Sequence, residues 1–270
     1  MLSKVFLALT RMSPRLKRVL WRRWYDFLAK HYQVREWSFM NYGYEPAAEG
    51  AYRPELEEAD EPNRAPIQLY DYVARAGEVA GKRVLEVGSG RGGGASYILR
   101  YLKPTSVTGM DFSGQAVALS RELHRVAGLS FVQGDAERMP FEGGSFDAVV
   151  NVESSHCYAS MARFLGEARR VLRPGGRFSY ADFRYGEGEV AALDEQVAGA
   201  GMDVVRREDI TENVVRSLDL TTESKEEMIR RYCRKWQTRS FLEFAGVRGS
   251  QIYERFRKRE MVYMHYVLGR

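Results

Sequence analysis

Val84-Leu85-Glu86-Val87-Gly88-Ser89-Gly90-Arg91-Gly92-Gly93 is the stretch on which the reading of the fold turns. The apolar run over residues 82–87 fits a buried strand, and the glycines after it form G-x-G-x-x-G. Glycines at a strand-to-helix turn permit positive φ and let the backbone come close to a ligand. The motif alone does not say which ligand, because several nucleotide-like molecules are held this way.

Working outward, strands alternate with helices. A helix is predicted over 94–102, a strand over 106–110, and a helix carrying Val117, Leu119, Leu123 and Val126. Strands follow at 129–133 and 146–151, a helix at 160–171, and the turn Arg173-Pro174-Gly175-Gly176 leads into a strand at 177–182 that ends on Asp182. This alternation implies right-handed crossovers and a mostly parallel, doubly wound Rossmann-like α/β sheet. Another strand is expected at 202–206, then a polar helical insertion, then a closing strand at 260–268. The organisation expected is an N-terminal helical arm or lid (1–80), a cofactor-binding core (81–207), a helical lid insertion (208–258) and a final core strand (259–270).

Composition narrows the class. The 270 residues are 44% hydrophobic and 29% charged, which fits a globular chain. Cys157 and Cys233 are isolated, and the scattered acids lack ligand spacing, so no disulfide framework and no metal site is expected; a cytoplasmic location fits. The apolar stretch near Met1 is interrupted by Arg11 and is not read as a signal peptide. The net charge of +5 is uneven, with +8 in residues 1–35 and −3 in the remainder. Ser13-Pro14 reads as a helix start, and Leu16, Leu20, Trp24, Phe27, Leu28 and His31 then recur at helical spacing beside Arg15, Lys17, Arg18, Arg22 and Arg23. This basic amphipathic helix reads as docked on the domain with a solvated face, and the same pattern fits contact with a membrane surface or a lipid-like substrate. With the basic charge confined to that arm, nucleic acid is not expected as a partner.

The neighbours of the glycine turn select the ligand. S-adenosyl-L-methionine (SAM) carries an ammonium and a sulfonium where a dinucleotide carries a pyrophosphate, so Glu86 just before Gly88, Ser89 and Gly90 suits SAM and repels phosphate. Asp111, followed by Phe112, ends the second strand, where a carboxylate accepts ribose hydroxyls in either class of site. Asp135 can accept from the adenine amino group and the Ala136 N–H can donate to a ring nitrogen. Asn151 and Gln68 are further expected cofactor contacts. Methyl transfer to an alcohol calls for a base; His156, just after the fourth strand, is the best-placed histidine, ahead of His31, His124 and His265. Glu153 or Asp182 is expected to orient its imidazole. Tyr42, Tyr44, Trp24 and Tyr25 are candidates to line the substrate pocket, with ordinary packing as the simpler role for each.

These segments, in this order, resemble the class I SAM-dependent methyltransferases. More narrowly the chain is similar to the bacterial phthiotriolone/phenolphthiotriolone dimycocerosate methyltransferases and related O-methyltransferases of lipid and polyketide natural products. The segments that carry the likeness are Asn41-Tyr42-Gly43-Tyr44-Glu45, Asp60-Glu61-Pro62-Asn63-Arg64-Ala65, Gly92-Gly93-Gly94-Ala95-Ser96-Tyr97, Asn151-Val152-Glu153-Ser154-Ser155-His156-Cys157-Tyr158 and Val247-Arg248-Gly249-Ser250-Gln251. The resemblance implies a seven-stranded sheet with its last strand antiparallel, a pocket above the C-terminal strand ends, and O-methylation of a hydroxyl or enol on a hydrophobic secondary metabolite or lipid. A fainter likeness to sterol C-methyltransferases keeps a C-methyltransferase of a sterol- or terpenoid-like substrate as the alternative. A SAM-fold protein that does not methylate is the third reading. The oligomeric state is left open.

Overall fold

Alternation along the central strands sets the layers. Strand β1 (Arg83–Val87) turns Val84 to one side and Leu85 and Val87 to the other. Strand β4 (Phe146–Val152) sends Ala148, Val150 and Val152 to the first side and Val149 to the second. Residues buried on both faces read in sequence as unbroken apolar runs, and such strands need helices above and below. The computed structural model describes residues 14–48 and 50–270, without the side chains of 14–18 and 35. The expected cap at Ser13 and the apolar start of the chain lie outside the described residues.

Five further strands complete the sheet: β2 (Ser106–Asp111), β3 (Leu129–Gln133), β5 (Leu172–Tyr185), β6 (Asp203–Asp209) and β7 (Met261–Gly269). The order is β3-β2-β1-β4-β5-β7-β6, parallel from β3 through β5, with β7 antiparallel to both β5 and β6. Strand order reverses between β1 and β4, so a crevice opens beyond their C-terminal ends. One expectation needs correcting: Asp182 does not end the fifth strand. Pairing of Arg177 through Tyr185 with Gly269 through Met261 carries β5 three residues further, and Asp182 stands opposite Met264.

The helices, in chain order, are α1 (Pro14–His31), α2 (Arg64–Ala76), α3 (Gly93–Leu102), α4 (Gly114–Leu123), α5 (Met161–Val171), α6 (Gly186–Ala198), α7 (Thr211–Tyr232), α8 (Lys235–Ala245) and α9 (Gln251–Arg257). Helices α2 and α3, with Val214 and Leu218 of α7, cover the Val84 side; α5 and α6 cover the Leu85 side through Phe164, Leu165, Leu193 and Val197. Ser113, Ser160 and Ser250 cap α4, α5 and α9, each accepting the backbone N–H three residues on. Each such cap stabilises by about 1 kcal/mol. Helix α1 lies across the crevice: Ala29 packs on Ala116 and Leu119 of α4, while Leu28 and Tyr32 pack with Ile229 and Phe241. No helix among the described residues is long and apolar enough to cross a membrane.

Candidate active site

The turn after β1 shows why glycine is needed at two of its positions. Gly88 has φ +76°, and a Cβ there would lie 2.6 Å from the Ser154 Cβ, closer than non-bonded carbon atoms can pack. Gly90 has φ +53°, and a Cβ there would meet no protein atom within 4 Å, so its missing side chain leaves open space. The turn is tied to β2: the Gly88 and Ser89 N–H groups donate to the Met110 carbonyl at 2.7 and 3.0 Å, and the Gly90 N–H donates to Asp111 Oδ2 at 2.8 Å.

Around this turn lies a cleft of about 1150 Å³, its open mouth included. Its floor is Gly88–Arg91 with Asp111, Phe112, Asp135 and Ala136, which brings the cofactor candidates Gly88, Ser89, Gly90, Asp111, Phe112, Asp135 and Ala136 onto one surface. Its roof comes from α1 (Trp21, Arg22, Tyr25, Leu28, Ala29), and its sides from Phe39, Tyr70, Glu153, Cys157 and Tyr158. Of the four aromatic residues picked out as substrate-pocket candidates, only Tyr25 reaches the cleft wall. Tyr42 packs on Phe183 and Phe256, Tyr44 stacks on Tyr72, and Trp24 packs on Phe241 and Phe244.

Three expected cofactor contacts also stand back from the wall. Glu86 is fully buried under the turn with no well-formed hydrogen bond on either oxygen, and burial pushes its carboxyl up to about 7. Asn151 is fully buried and donates to the Val87 carbonyl, Ser154 Oγ and Tyr158 Oη, pinning the end of β4 to the end of β1. Gln68 donates to the Tyr44 carbonyl and to Glu45, which fastens the loop before α2.

The charge of the cleft fits a cationic ligand. Asp111, Asp135, Glu137 and Glu153 line it, against the cations Arg22 and Arg91. Burial raises Asp111 to about 6 although Ser113 and Gly90 donate to it. A sulfonium and an ammonium brought beside such acids relieve this cost, whereas a pyrophosphate would add to it. The residues present therefore fit SAM.

Arg91, one of the three unspecified positions of the glycine motif, has a role that no sequence signal marked. Its guanidinium turns away from the cleft and donates to the carbonyls of Leu28, Tyr32 and Trp37 while lying 4.9 Å over the Trp37 ring. It thus satisfies carbonyls at the C-terminal end of α1, where cations are favoured. The cofactor turn and the roof helix are joined through this one side chain. Arg91→Met keeps much of the stem but removes the donors, so hydrogen exchange of the α1 amides should accelerate sharply while the sheet stays protected. Unchanged protection of α1 would mean that the arginine does not hold the helix.

Behind the cleft sits a coupled set of charges. The Asp182 carboxylate is fully buried and accepts from Ser155 Oγ (2.7 Å), the His156 N–H (2.8 Å) and the Phe183 N–H (2.8 Å). His156 Nδ1 lies 3.0 Å from Asp182 Oδ1, with the ring stacked 4.4 Å from Phe183 and edge-on to Trp21. Burial opposes the imidazolium, but the Cys157 sulfur and the Asp182 carboxylate outweigh it and raise His156 to about 10. Burial likewise opposes the charge on Asp182, yet His156 and Arg184 hold its carboxyl well below the usual range. Because His156 is raised above its ordinary ~6.5, its contribution to stability is full below that value and is lost as pH rises through 10. In Asp182→Asn the imidazole should titrate below its wild-type value, read by NMR; an unchanged titration would exclude Asp182 as its partner.

Glu153 is different because it does reach the wall. Its φ of +49° is rare for a side-chain-bearing residue and marks strain of the kind found at functional sites. Oε2 accepts from the Tyr42 N–H (2.9 Å) and the Tyr263 hydroxyl (3.0 Å), which leaves Oε1 for a ligand. Burial, reinforced by Asp182, pushes its carboxyl up to about 8.

A strand-order reversal, a glycine turn and an acid-lined cleft that fits SAM define a class I SAM-dependent methyltransferase. A methyltransferase-domain family model matches residues 85–180. The chain is 40% identical over 250 residues to the phthiotriol/phenolphthiotriol dimycocerosates methyltransferase of Mycobacterium tuberculosis, covering 93% of this chain and 91% of that protein. It is 44% identical over 193 residues to a fatty-acid O-methyltransferase of Mycolicibacterium smegmatis, covering 72% and 69%. Among solved structures, the cyclase SpnF superposes with a TM-score of 0.67 at 21% identity over 91% of this chain and 93% of that one, a likeness of fold. The chain belongs to the family of the phthiotriol/phenolphthiotriol dimycocerosates methyltransferases.

Proposed function

We propose that the protein O-methylates a hydroxyl or enol on a hydrophobic, lipid-like acceptor, with Glu153 taking the proton. The observation that carries this reading is a strained glutamate on the cleft wall with a carboxyl poised near 8. An alcohol is a poor nucleophile until its proton leaves, and a base whose pKa lies near the working pH serves best. A carboxylic acid acceptor needs no such base. The apolar and aromatic part of the wall, Trp21, Tyr25, Leu28, Phe39 and Tyr70, suits an alkyl or aryl acceptor. The relatives' names, a phthiotriol/phenolphthiotriol dimycocerosates methyltransferase and a fatty-acid O-methyltransferase, support a lipid-like acceptor, and the second makes the fatty acid the rival to the hydroxyl.

When bound, SAM supplies a methyl group made electrophilic by its sulfonium. Asp111 would hold the ribose hydroxyls, Asp135 and Ala136 the adenine edge, and the backbone of Gly88–Gly90 the closest approach. The sequence reading gave the proton to His156. His156 is absent from the cleft lining and its Nδ1 is held by Asp182, so we assign both to positioning: the imidazolium favours the ionised form of Glu153, while Asp182 opposes it. The lid role falls to α1, which roofs the cleft, while α2, α7 and α9 of the segments expected to form a lid pack on the sheet face. The test incubates the protein and SAM with a long-chain alcohol, a phenol and a fatty acid of matched length, locating any new methyl by mass spectrometry and NMR. An ether from the alcohol or phenol is expected. A methyl ester as the sole product, or a methyl on carbon, would overturn the reading.

A further inference from the structure

We infer that the exposed face of α1 and α8 docks on an anionic lipid bilayer. Between Arg230 and Leu242 the chain carries Arg230, Arg231, Arg234, Lys235 and Arg239 and no acid. All five are exposed, with Arg230 sharing its charge with Glu226. In their midst Trp236 is 70% exposed, although nothing in the packing of α8 requires an apolar residue there. Helix α1 lies alongside. Trp24 packs 6.1 Å from both Phe241 and Phe244, and the Tyr32 hydroxyl donates to Gln237 at 2.9 Å. Bordering the same aromatic seam, α1 exposes Val19, Arg23, Phe27 and Lys30.

A single exposed apolar side chain is ordinary. Here a tryptophan, a phenylalanine and a valine stand among basic residues on two adjoining helices. Tryptophan settles at the headgroup level of a bilayer, and each nearby lysine or arginine adds attraction to anionic lipid. RNA would use the same cations but gives Val19 nothing to do. The face also belongs to the site, because the opposite side of α1 supplies Trp21, Tyr25, Leu28 and Ala29 to the cleft roof. An acceptor leaving the bilayer would enter beside the helix that covers the cleft. The surface does not depend on which atom of the acceptor is methylated.

The test is co-sedimentation of the full chain with vesicles of phosphatidylcholine alone and of phosphatidylcholine with about one-third phosphatidylglycerol, at low and high salt, with a polyuridylate competitor. Binding to the anionic vesicles, weakened by salt, is expected. The variant K235E/R239E should weaken it about 30-fold or more. Trp236→Ser should weaken binding even at high salt, and both variants should keep wild-type SAM affinity by calorimetry. Absence of binding to the anionic vesicles would overturn the inference, as would full binding by the variants or displacement of the vesicles by the RNA.

Discussion

Gly90→Val is expected to lower SAM affinity by at least about 100-fold while leaving the fold in place, because the added side chain would occupy the space the cofactor needs. At φ +53° a side chain strains the backbone by about 1–2 kcal/mol, which at this chain length lowers the melting temperature by a few degrees. No protein atom lies within 4 Å of the new Cβ, so the molecule itself need not move. The same change at Gly88 would drive into Ser154 and should cost folding as well as binding. Calorimetric titration with SAM beside thermal unfolding separates the two. SAM affinity within about threefold of wild type in Gly90→Val would show that the cofactor does not sit over this turn.

Glu153→Gln should cut turnover by ~10²–10⁴ and at the same time make the protein more stable in alkaline solution. The folded carboxyl titrates near 8, well above the ~4.3 of an unfolded chain. Its contribution to stability is therefore full below about 4.3 and is lost as pH rises through 8. At pH 9 the wild type holds a poorly solvated carboxylate that glutamine does not carry. Cleft water screens part of that cost, so a gain of about 1–2 kcal/mol is expected, or a few degrees in melting temperature, with none at pH 4. The rise of kcat/KM with pH near 8 should vanish in the variant. Near-normal turnover would remove Glu153 from the chemistry, and an unchanged pH 9 stability would deny its burial.

Where the reading of the sequence went furthest, the signals were local. Val84 through Val87 form a short apolar run, the glycines after them carry their own backbone freedom, Asp111 ends its strand and Asp135 follows the next one closely. The sheet, the turn and the donor class need no knowledge of distant segments, so they were legible. The residues on the cleft wall were not. Tyr25 meets Cys157 across 132 positions, and the Tyr42 N–H reaches Glu153 across 111. Trp24 has the same helical spacing as Tyr25 but turns to α8 instead.

The same division explains the two histidine-loop residues. His156 and Glu153 stand three positions apart in one segment, and a sequence pattern favours the histidine because its ordinary pKa lies near neutrality. Cys157 and Asp182 carry His156 above that range against the opposition of burial, while burial in the cleft wall lifts Glu153 into it. By itself the sequence determined a doubly wound sheet and a SAM-binding turn, because both follow from apolar strand runs alternating with helical patterns and from glycine backbone freedom. Only the tertiary structure decided that Arg91 holds the roof helix and that Glu153 faces the cleft. Those outcomes depend on which distant carbonyls, rings and charges the folded chain brings together.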